Sequence, residues 1–221
     1  MGDMKNDNKS TIYDQELMDG VMKYKVRNGL KPNYIITMDH IKDLNITIEE
    51  RIKTLQLNME RCRWVSPKLI NDAEYIMVNI PSYELVYMRD GKRELVSNVF
   101  VGSTLNKTTI FNGEIDKIVF SPYWYLPQSI IENELKLKIA ADKNYLADHN
   151  MEWYNGQLRQ KPGKDNSLGL VKFIFPNPDD IYMHDSPAKS LFDFERRAFS
   201  HGCVNVKKAK ELAAAILKGY P

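Results

Sequence analysis

Residues 184–205 read H-D-S-P-A-K-S-L-F-D-F-E-R-R-A-F-S-H-G-C-V-N, and this stretch dominates the interpretation of the chain. Fifteen residues separate His184 from Ser200, which begins a Ser-His-Gly-Cys tetrapeptide ending at Cys203. A thiol has a pKa of about 8.5, so it is mostly protonated and weakly nucleophilic near neutral pH. A neighbouring imidazole can take the thiol proton and later return it to a leaving amine. The stretch therefore predicts cysteine-dependent acyl transfer with Cys203 as the nucleophile.

The residues around Cys203 fit the same chemistry. Gly202 permits a close backbone approach, and the N–H groups of Gly202 and Cys203 can face a developing oxyanion. Asn205 is predicted to cap a helix over 206–218. The positive end of that helix, together with Lys207, would favour the thiolate form of Cys203. We therefore expect Cys203 to be alkylated faster below pH 8 than a free thiol.

Zinc binding is the alternative for these side chains, because cysteine and histidine are common zinc ligands. His184, His201 and Cys203 would supply three ligands, and Asp185 or His149 would have to supply a fourth. A short motif of this kind matches by chance often enough that the catalytic interpretation is preferred.

The other cysteine and two other histidines are predicted to have no catalytic role. Cys62 falls on the apolar face of a predicted helix and is interpreted as a small buried residue. His40 and His149 are predicted to be ordinary surface residues.

Length, charge and cysteine content exclude several classes of protein. The chain has 221 residues, enough for one large domain or for one domain and an appendage. Its 31 Lys+Arg and 29 Asp+Glu leave a net charge of +2, which argues against a nucleic-acid partner because phosphate contacts need clustered basic residues. Two cysteines cannot build a disulfide framework or a four-thiolate zinc site. The longest apolar run, 212–217, is far shorter than the ~20 residues of a membrane span, and no signal peptide is found in the first thirty residues.

The N-terminal part is predicted to be a disordered tail, residues 1–10, followed by two helices. The first helix begins near Asp14 and stops at Asn28-Gly29, because both stop residues tolerate the left-handed conformation. The second helix begins with a capping box formed by Thr47 and Glu50. Its apolar residues recur every three or four positions and share one face: Ile48, Ile52, Leu55, Met59 and Cys62.

From residue 74 the apolar period changes to two, which is typical of strands. Strands are predicted over 75–80, 83–88, 94–101, 109–111, 115–120, 170–175 and 181–184. Arg89-Asp90-Gly91 is predicted to be the turn of a hairpin. The segment 121–127 is aromatic, 130–149 is predicted to be helical, and 161–169 is a loop rich in glycine and proline. Since runs of strands are separated from the helices, a mostly β, α+β architecture is favoured.

The hexapeptide Ser-His-Gly-Cys-Val-Asn at 200–205, preceded at this spacing by His184, resembles the signature of the L,D-transpeptidase catalytic domain (the YkuD-like family). Flanking segments resemble the branch of that family that carries a helical lid: Asn79-Ile80-Pro81, Pro122-Tyr123-Trp124, Gln160 with Pro162-Gly163, Asn166-Ser167-Leu168-Gly169, 172–176 and 181–185. The resemblance covers about residues 74–217. Asn205 is a departure, because members of the lid-bearing branch often have Arg there. The departure concerns the substrate role of residue 205 and not the chemistry.

The resemblance implies a β-sandwich-like catalytic domain, mostly β or α+β in class, over residues 74–221, with a helical lid inserted at about 121–169. Residues 11–66 form a small helical part that resembles the end of a peptidoglycan-binding module. The resemblance there rests on Tyr13-Asp14, Leu17, Val21, Arg27-Asn28-Gly29-Leu30, Leu44-Asn45 and Arg51-Ile52. A helical brace packed on the catalytic domain is the equal alternative for this part.

The same resemblance implies an enzyme acting on the stem peptides of bacterial peptidoglycan. Cys203 would attack the carbonyl of the third, diamino-acid residue of a tetrapeptide stem, expel D-alanine and form a thioester. The side-chain amine of a second stem would then attack the thioester and give a 3–3 cross-link. His184 matches the general base, oriented by a backbone carbonyl that we expect to be that of Asp185. His201 and Gly202 complete the implied catalytic set.

Four further residues are implied to serve the substrate. Ser200 is expected to hold the loop, and Ser200, Asn205, Tyr182 and Trp124 are expected to line the substrate groove. The alternative for Trp124, together with Tyr123 and Tyr125, is the core of the lid hinge. No metal or organic cofactor is implied, and carbapenem-type β-lactams are expected to acylate Cys203. The expected protein is a monomer that acts in the periplasm or cell envelope. An L,D-carboxypeptidase that hydrolyses the thioester, or a non-catalytic wall-binding module, are the alternatives.

Overall fold

The computed structural model describes residues 3–4, 9, 11–65, 71 and 73–218. The chain divides into two compact units, Met1–Asp72 and Ala73–Pro221. Most of the predicted tail, residues 1–10, lies outside the described residues. Within the described part of the chain, no helix has the length and apolar character needed to cross a membrane.

In the first unit, residues 11–65 contain the helices α1 (Gln15–Arg27), α2 (Met38–Leu44) and α3 (Ile48–Cys62). The side chain of Asp14 caps α1 by accepting the N–H of Leu17 at 2.9 Å. The helix ends at Asn28, and Gly29 follows with φ +67°, so the predicted stop is confirmed. The capping box predicted for the start of α3 is also present. The helix α2 was not predicted.

Two predictions for the first unit are wrong. The apolar face of α3 is exposed, and Cys62 is an exposed thiol rather than a buried residue. Helical spacing shows which residues share a face, but it does not show whether another element covers that face. His40 is buried rather than on the surface, because its ring accepts the N–H of Thr37 at 2.9 Å and closes the capping box of α2.

The second unit is built on a mixed sheet of eight strands. These strands are β1 (Glu74–Asn79), β2 (Glu84–Arg89), β3 (Lys92–Gly102), β4 (Lys117–Phe120), β8 (Val171–Ile174), β9 (Met183–His184), β10 (Ala198–Ser200) and β11 (Val204–Val206). The spatial order is β1-β2-β3-β11-β9-β8-β4, and β10 pairs with β3. The pairs β9–β11 and β3–β10 are parallel, and the other pairs are antiparallel. The mostly β, α+β class predicted from the sequence is confirmed.

The hairpin between β2 and β3 forms at the predicted turn. Asp90 and Gly91 both have positive φ, +49° and +72°. Positive φ at both central residues gives the turn the twist that a two-residue hairpin needs, and Asp-Gly is a favoured pair there. The strand predicted over 109–111 is absent, since these described residues have no regular structure.

The segment at 121–169 contains a second, three-stranded sheet as well as helices. The strands are β5 (Trp124–Tyr125), β6 (Met151–Tyr154) and β7 (Gln157–Gln160), in the order β5-β7-β6. The helical pieces are a turn at Gln128–Ile130, a π-helix at Ile131–Leu135, α4 (Lys136–Ala141) and α5 (Tyr145–Asp148). The predicted helix over 130–149 is therefore interrupted, and the hairpin over 151–160 was not predicted. This segment is the one predicted to be a lid, and it keeps that name below without its function being assigned. It has its own core of Leu126, Leu135 and Leu158.

The last helix, α6 (Ala209–Leu217), packs on one face of the large sheet. Its Leu212 joins a core of alternating strand residues that includes Val171, Phe173 and Val204. The helix starts later than predicted because 204–206 form β11. Asn205 consequently lies in a strand and caps no helix. Lys208 occupies the N-cap position, and its side chain does not cap the helix but donates to the carbonyl of Val96 at 3.0 Å.

Candidate active site

The strand register brings the predicted site residues to one face of the large sheet. In the pairing of β9 with β11, His184 lies opposite Asn205 and Met183 lies opposite Val204. Successive side chains of a strand point to opposite faces. Since Met183 and Val204 are in the core, His184 and Asn205 face away from it. One residue back along the same register, Cys203 lies opposite Tyr182, on the face that carries His184.

The Cys203 thiol is partly buried between backbone and aromatic groups. Its Sγ lies 4.0 Å from the carbonyl oxygen of Asp180. Burial raises the pKa of the Cys203 thiol, although the N–H and hydroxyl of Tyr182 and the ammonium of Lys172 act in the opposite direction. The prediction of a depressed pKa is therefore wrong, because the helix meant to stabilise the thiolate does not start beside Cys203. The direction of this shift favours the protonated thiol, and a nucleophilic role for Cys203 would require a base.

The raised pKa gives a direct expectation for alkylation. In a Cys62→Ser background, the iodoacetamide rate at Cys203 should rise only at a higher pH than that of a small reference thiol, because the thiolate is the reactive form. The measurement is a rate-against-pH profile read by peptide mass mapping. An inflection at or below that of the reference thiol would contradict this account.

His184 is positioned to act as that base. The ring is buried, and its Nδ1 lies 2.5 Å from the carbonyl oxygen of Asp185, which confirms the predicted orienting contact. A carbonyl can only accept, so Nδ1 carries the proton of the neutral ring and Nε2 carries the lone pair. The backbone of Leu168 also interacts with the ring. Burial lowers the pKa of His184 to about 4, and the ring is neutral at pH 7. The ring centroid lies 5.5 Å from that of Tyr182, the residue opposite Cys203.

Asp185 links the base to the end of the lid. Its buried carboxylate accepts the N–H of Leu170 at 3.1 Å and pairs with Lys189 at 2.5 Å. Gly169 passes so close that an added Cβ would lie 2.5 Å from Asp185 side-chain atoms. The carboxylate is thus fixed from two sides, which fixes the carbonyl that orients His184.

The lowered pKa of His184 predicts how activity changes with pH on the acidic side of the pH–rate profile. The neutral imidazole is the competent base, so kcat/KM should fall with an apparent pKa near 4 rather than 6.5. Because the folded-state pKa lies below the unfolded value, the folded protein should also lose stability progressively as the pH falls from about 6.5 to about 4. Circular dichroism at each pH separates loss of the base from unfolding. An acid limb near 6.5 with the fold intact would show that the ring titrates normally.

The loop that carries Cys203 is held by side-chain hydrogen bonds. Ser200 Oγ donates to the carbonyl of Cys203 at 2.6 Å and accepts the N–H of Gly202 at 3.2 Å. Thr108 Oγ1 donates to the carbonyl of Gly202 at 2.6 Å. Gly202 has φ +120°, a conformation that side chains rarely adopt. Ser200 and Gly202 therefore shape the loop, and the N–H of Gly202 is already used.

The N–H of Cys203 is the better candidate for an oxyanion donor. Among the described residues it has no hydrogen-bond acceptor, whereas the N–H of Gly202 is bonded within the loop. A preorganised donor beside the nucleophile is what a tetrahedral intermediate requires.

His201 connects the loop to the lid. Its Nε2 lies 2.8 Å from Oε1 of Glu134 in the π-helix, and both side chains remain largely exposed. A shallow cavity of about 220 Å³ lies at this contact, lined by Asn106, Ser129, Ile130, Asn133, Glu134 and His201. His201 is thus at the rim of the site, next to the lid.

Trp124 reaches the site from the lid through Tyr182. Its half-buried ring packs against the lid core, and its indole group interacts with the Tyr182 side chain. Burial is the main reason that the pKa of Tyr182 is raised, with Cys203 adding to the effect. The predicted residues Tyr182, Trp124, His184 and Cys203 therefore form one continuous set of contacts.

Two residues near the sulfur were not predicted, Lys172 and Asp180. Lys172 interrupts the apolar strand β8 between buried Val171 and Phe173. A lone charge at an alternate position in such a strand indicates a face that is not core. Asp180, with φ +51°, contributes the carbonyl near Cys203.

His149, which was considered as a metal ligand, lies in the lid. His149 is exposed and stacks on Tyr145, with ring centroids 4.0 Å apart. In the part of the chain that the structure describes, no three His, Cys, Asp or Glu side chains come together as a metal-binding group.

Comparison of the sequence with known protein families identifies the L,D-transpeptidase family. The model of the L,D-transpeptidase catalytic domain (YkuD) matches residues 73–221. A protein of Haemophilus influenzae named "Putative L,D-transpeptidase" is 33% identical over 234 aligned positions, which cover 95% of this chain and 46% of that protein. The chain thus spans about half the length of this curated relative.

Solved structures give a more distant likeness. The catalytic domain of an Enterococcus faecium L,D-transpeptidase acylated by ertapenem is 16% identical, with a TM-score of 0.40 over 64% of this chain and 88% of that one. An L,D-transpeptidase in complex with imipenem is 13% identical, with a TM-score of 0.42 over 65% of this chain and 53% of that one. The family assignment rests on the sequence match.

Proposed function

The chain belongs to the L,D-transpeptidase catalytic-domain family, and on that premise we propose that it is a cysteine acyltransferase that forms 3–3 cross-links between peptidoglycan stem peptides. The observation that carries the proposal is the register of β9 and β11, which puts His184 and Cys203 on one sheet face with Tyr182 beside both. The proposed catalytic domain is residues 74–221, with the lid at 121–169.

The first half of the reaction makes a thioester. His184 Nε2 takes the thiol proton while the sulfur attacks the carbonyl carbon of the third stem residue. This order fits a neutral imidazole and a protonated thiol, since burial disfavours a charged pair in the resting site. The N–H of Cys203 donates to the oxyanion. The bond to D-alanine then breaks, and His184 returns the proton to the leaving amine.

The second half of the reaction transfers the acyl group. The side-chain amine of an acceptor stem loses a proton to His184 and attacks the thioester carbon. Collapse of the intermediate forms the new amide and restores the thiol. Water could attack instead, which would make the protein an L,D-carboxypeptidase. The lid, held to the loop by Glu134 and His201, is proposed to exclude water during this step.

The substrate sets the proposed location and inhibitors. Peptidoglycan lies outside the cytoplasmic membrane, so the proposed site of action is the periplasm or cell envelope. Carbapenem-type β-lactams present a reactive carbonyl to the same thiol and are proposed to acylate Cys203. The proposed working form is a monomer, and the proposed role of residues 11–66 is contact with peptidoglycan or support of the catalytic domain.

The test is product analysis on a defined donor and acceptor. Purified protein is incubated with a disaccharide-tetrapeptide, and the products are weighed by mass spectrometry. Stem dimers with release of D-alanine support the transferase. Tripeptide monomers alone would establish hydrolysis, and unchanged substrate would support a non-catalytic wall-binding module.

A further inference from the structure

Lys172 lies on the same face of the sheet as Cys203, two strands away, and its charge acts on the thiol. It lies in β8 opposite His184 and, like His184, points away from the core. Its Nζ lies 3.7 Å from the centroid of the Tyr182 ring. Tyr182 is the register neighbour of Cys203, so the ammonium, the ring and the sulfur follow one another across neighbouring strands.

The Lys172 ammonium lacks an anionic partner within the described part of the chain. No carboxylate there lies within ion-pair distance of its Nζ, and no oxygen there accepts a hydrogen bond from it; Asp180 acts only at longer range. By contrast, Lys189 and Lys207 pair with Asp185 and Asp193. Burial lowers the pKa of Lys172, which reflects lost hydration that the Tyr182 ring offsets only in part.

A half-buried cation with unused donors next to a nucleophile fits an anionic group of the ligand. We propose that the Lys172 ammonium binds the carboxylate of the leaving D-alanine, and so selects donor stems with a free C-terminus. The inference rests on the proposed function for the identity of the ligand. In such a stem the carboxylate is bonded to the Cα next to the scissile nitrogen, roughly 4 Å from the attacked carbon. Lys172 lies two strands from Cys203, and its long side chain brings the ammonium over the Tyr182 ring on the segment between them, toward that carboxylate.

A competing role for Lys172 is to stabilise the Cys203 thiolate, because its charge acts to lower the pKa of that thiol. The two roles differ in what they do to a neutral and an anionic reagent. Loss of thiolate stabilisation slows both reagents equally, whereas loss of a carboxylate site slows only the anionic one.

The first experiment therefore alkylates Cys203 with iodoacetamide and with iodoacetate. All proteins carry Cys62→Ser, because that thiol is exposed. Lys172→Met should lower the ratio of the iodoacetate rate to the iodoacetamide rate about fivefold or more, and Lys172→Arg should retain most of it. Lys92→Met, which removes an exposed charge from the β2–β3 hairpin, is the matched control and should not change the ratio.

The unsubstituted lysine gives a second readout that does not depend on a variant folding. With Lys172 present, added NaCl should lower the iodoacetate rate at Cys203 more than the iodoacetamide rate, because salt screens the cation. A ratio that is insensitive to salt and to Lys172→Met, or equal losses for both reagents, would overturn the carboxylate site.

A second experiment, with modified donor peptides, identifies which carboxylate is bound. With Lys172 present, a donor tetrapeptide ending in D-alaninamide should have a KM at least ~10-fold higher than the free acid, and Lys172→Met should bring the two within about 3-fold. If the discrimination instead follows amidation of a carboxylate on the third residue, the assignment to D-alanine is wrong. If no donor is turned over while the alkylation ratio still depends on Lys172, the proposed function fails and the anion site stands.

Discussion

Cys203→Ala should abolish transfer, with a loss of at least about 10⁴-fold in turnover of the disaccharide-tetrapeptide. The methyl group cannot form the thioester, and the remaining donors and base cannot replace a covalent intermediate. The measurement is release of D-alanine together with the yield of stem dimers. The fold should persist, because Cys203 is only partly buried and its loop is held by Ser200 and Thr108.

The matched control is Cys62→Ala, which removes the chain's other free thiol from an exposed position in the first unit. It should leave turnover within about twofold, as expected for a surface change. A carbapenem should add its mass to the Cys62→Ala protein and not to the Cys203→Ala protein. If the Cys203→Ala protein still turned over the substrate, the covalent mechanism would be wrong.

Gly169→Ala should cost the second unit about 3 kcal/mol or more of unfolding free energy and reduce kcat as well. The new Cβ would lie 2.5 Å from the side chain of Asp185, and Gly169 has φ +61°, a conformation in which side chains are strained. Asp185 cannot move away freely, since Leu170 and Lys189 hold its carboxylate. Any shift would displace the carbonyl that orients His184.

Gly156→Ala separates the clash from the backbone strain. Gly156 has φ +77° in the turn between β6 and β7, and an added Cβ meets no atom within 4 Å. Gly156→Ala should therefore lower the unfolding free energy by only about 1 kcal/mol, which is the contribution of backbone strain alone. Urea denaturation measures both variants, and kcat is compared with KM on the same protein. Equal costs for the two glycines would contradict the close contact with Asp185.

The chemistry of the site could be predicted from the chain because it depends on residue types at fixed spacing. His184, Ser200 and Cys203 lie in one stretch, and their roles follow from proton affinity and nucleophilicity. The hairpin at Asp90-Gly91 and the helix caps at Asp14 and Thr47 were predictable for a similar reason, since each depends on contacts between residues a few positions apart.

Other predictions failed where a distant partner decides the outcome. Asn205 is of a residue type that often caps helices, but its pairing with β3 and β9 makes it part of a strand. Cys62 lies on an apolar helix face that the described residues leave exposed. The lid hairpin at 151–160 was missed, and its strand β7 also pairs with β5, whose partner residues lie 34 to 36 positions earlier.

The sequence by itself determined the family and the α+β class, and it was enough to propose Cys203 as nucleophile and His184 as base, because these follow from local patterns and from the character of single side chains. Only the tertiary structure decided the protonation of the site. Burial keeps His184 neutral and raises the pKa of Cys203, and burial arises from strands and the lid that meet only in the folded chain. It also decided that Lys172 lies on the same sheet face as Cys203, since the register of β8, β9 and β11 selects which face each side chain occupies.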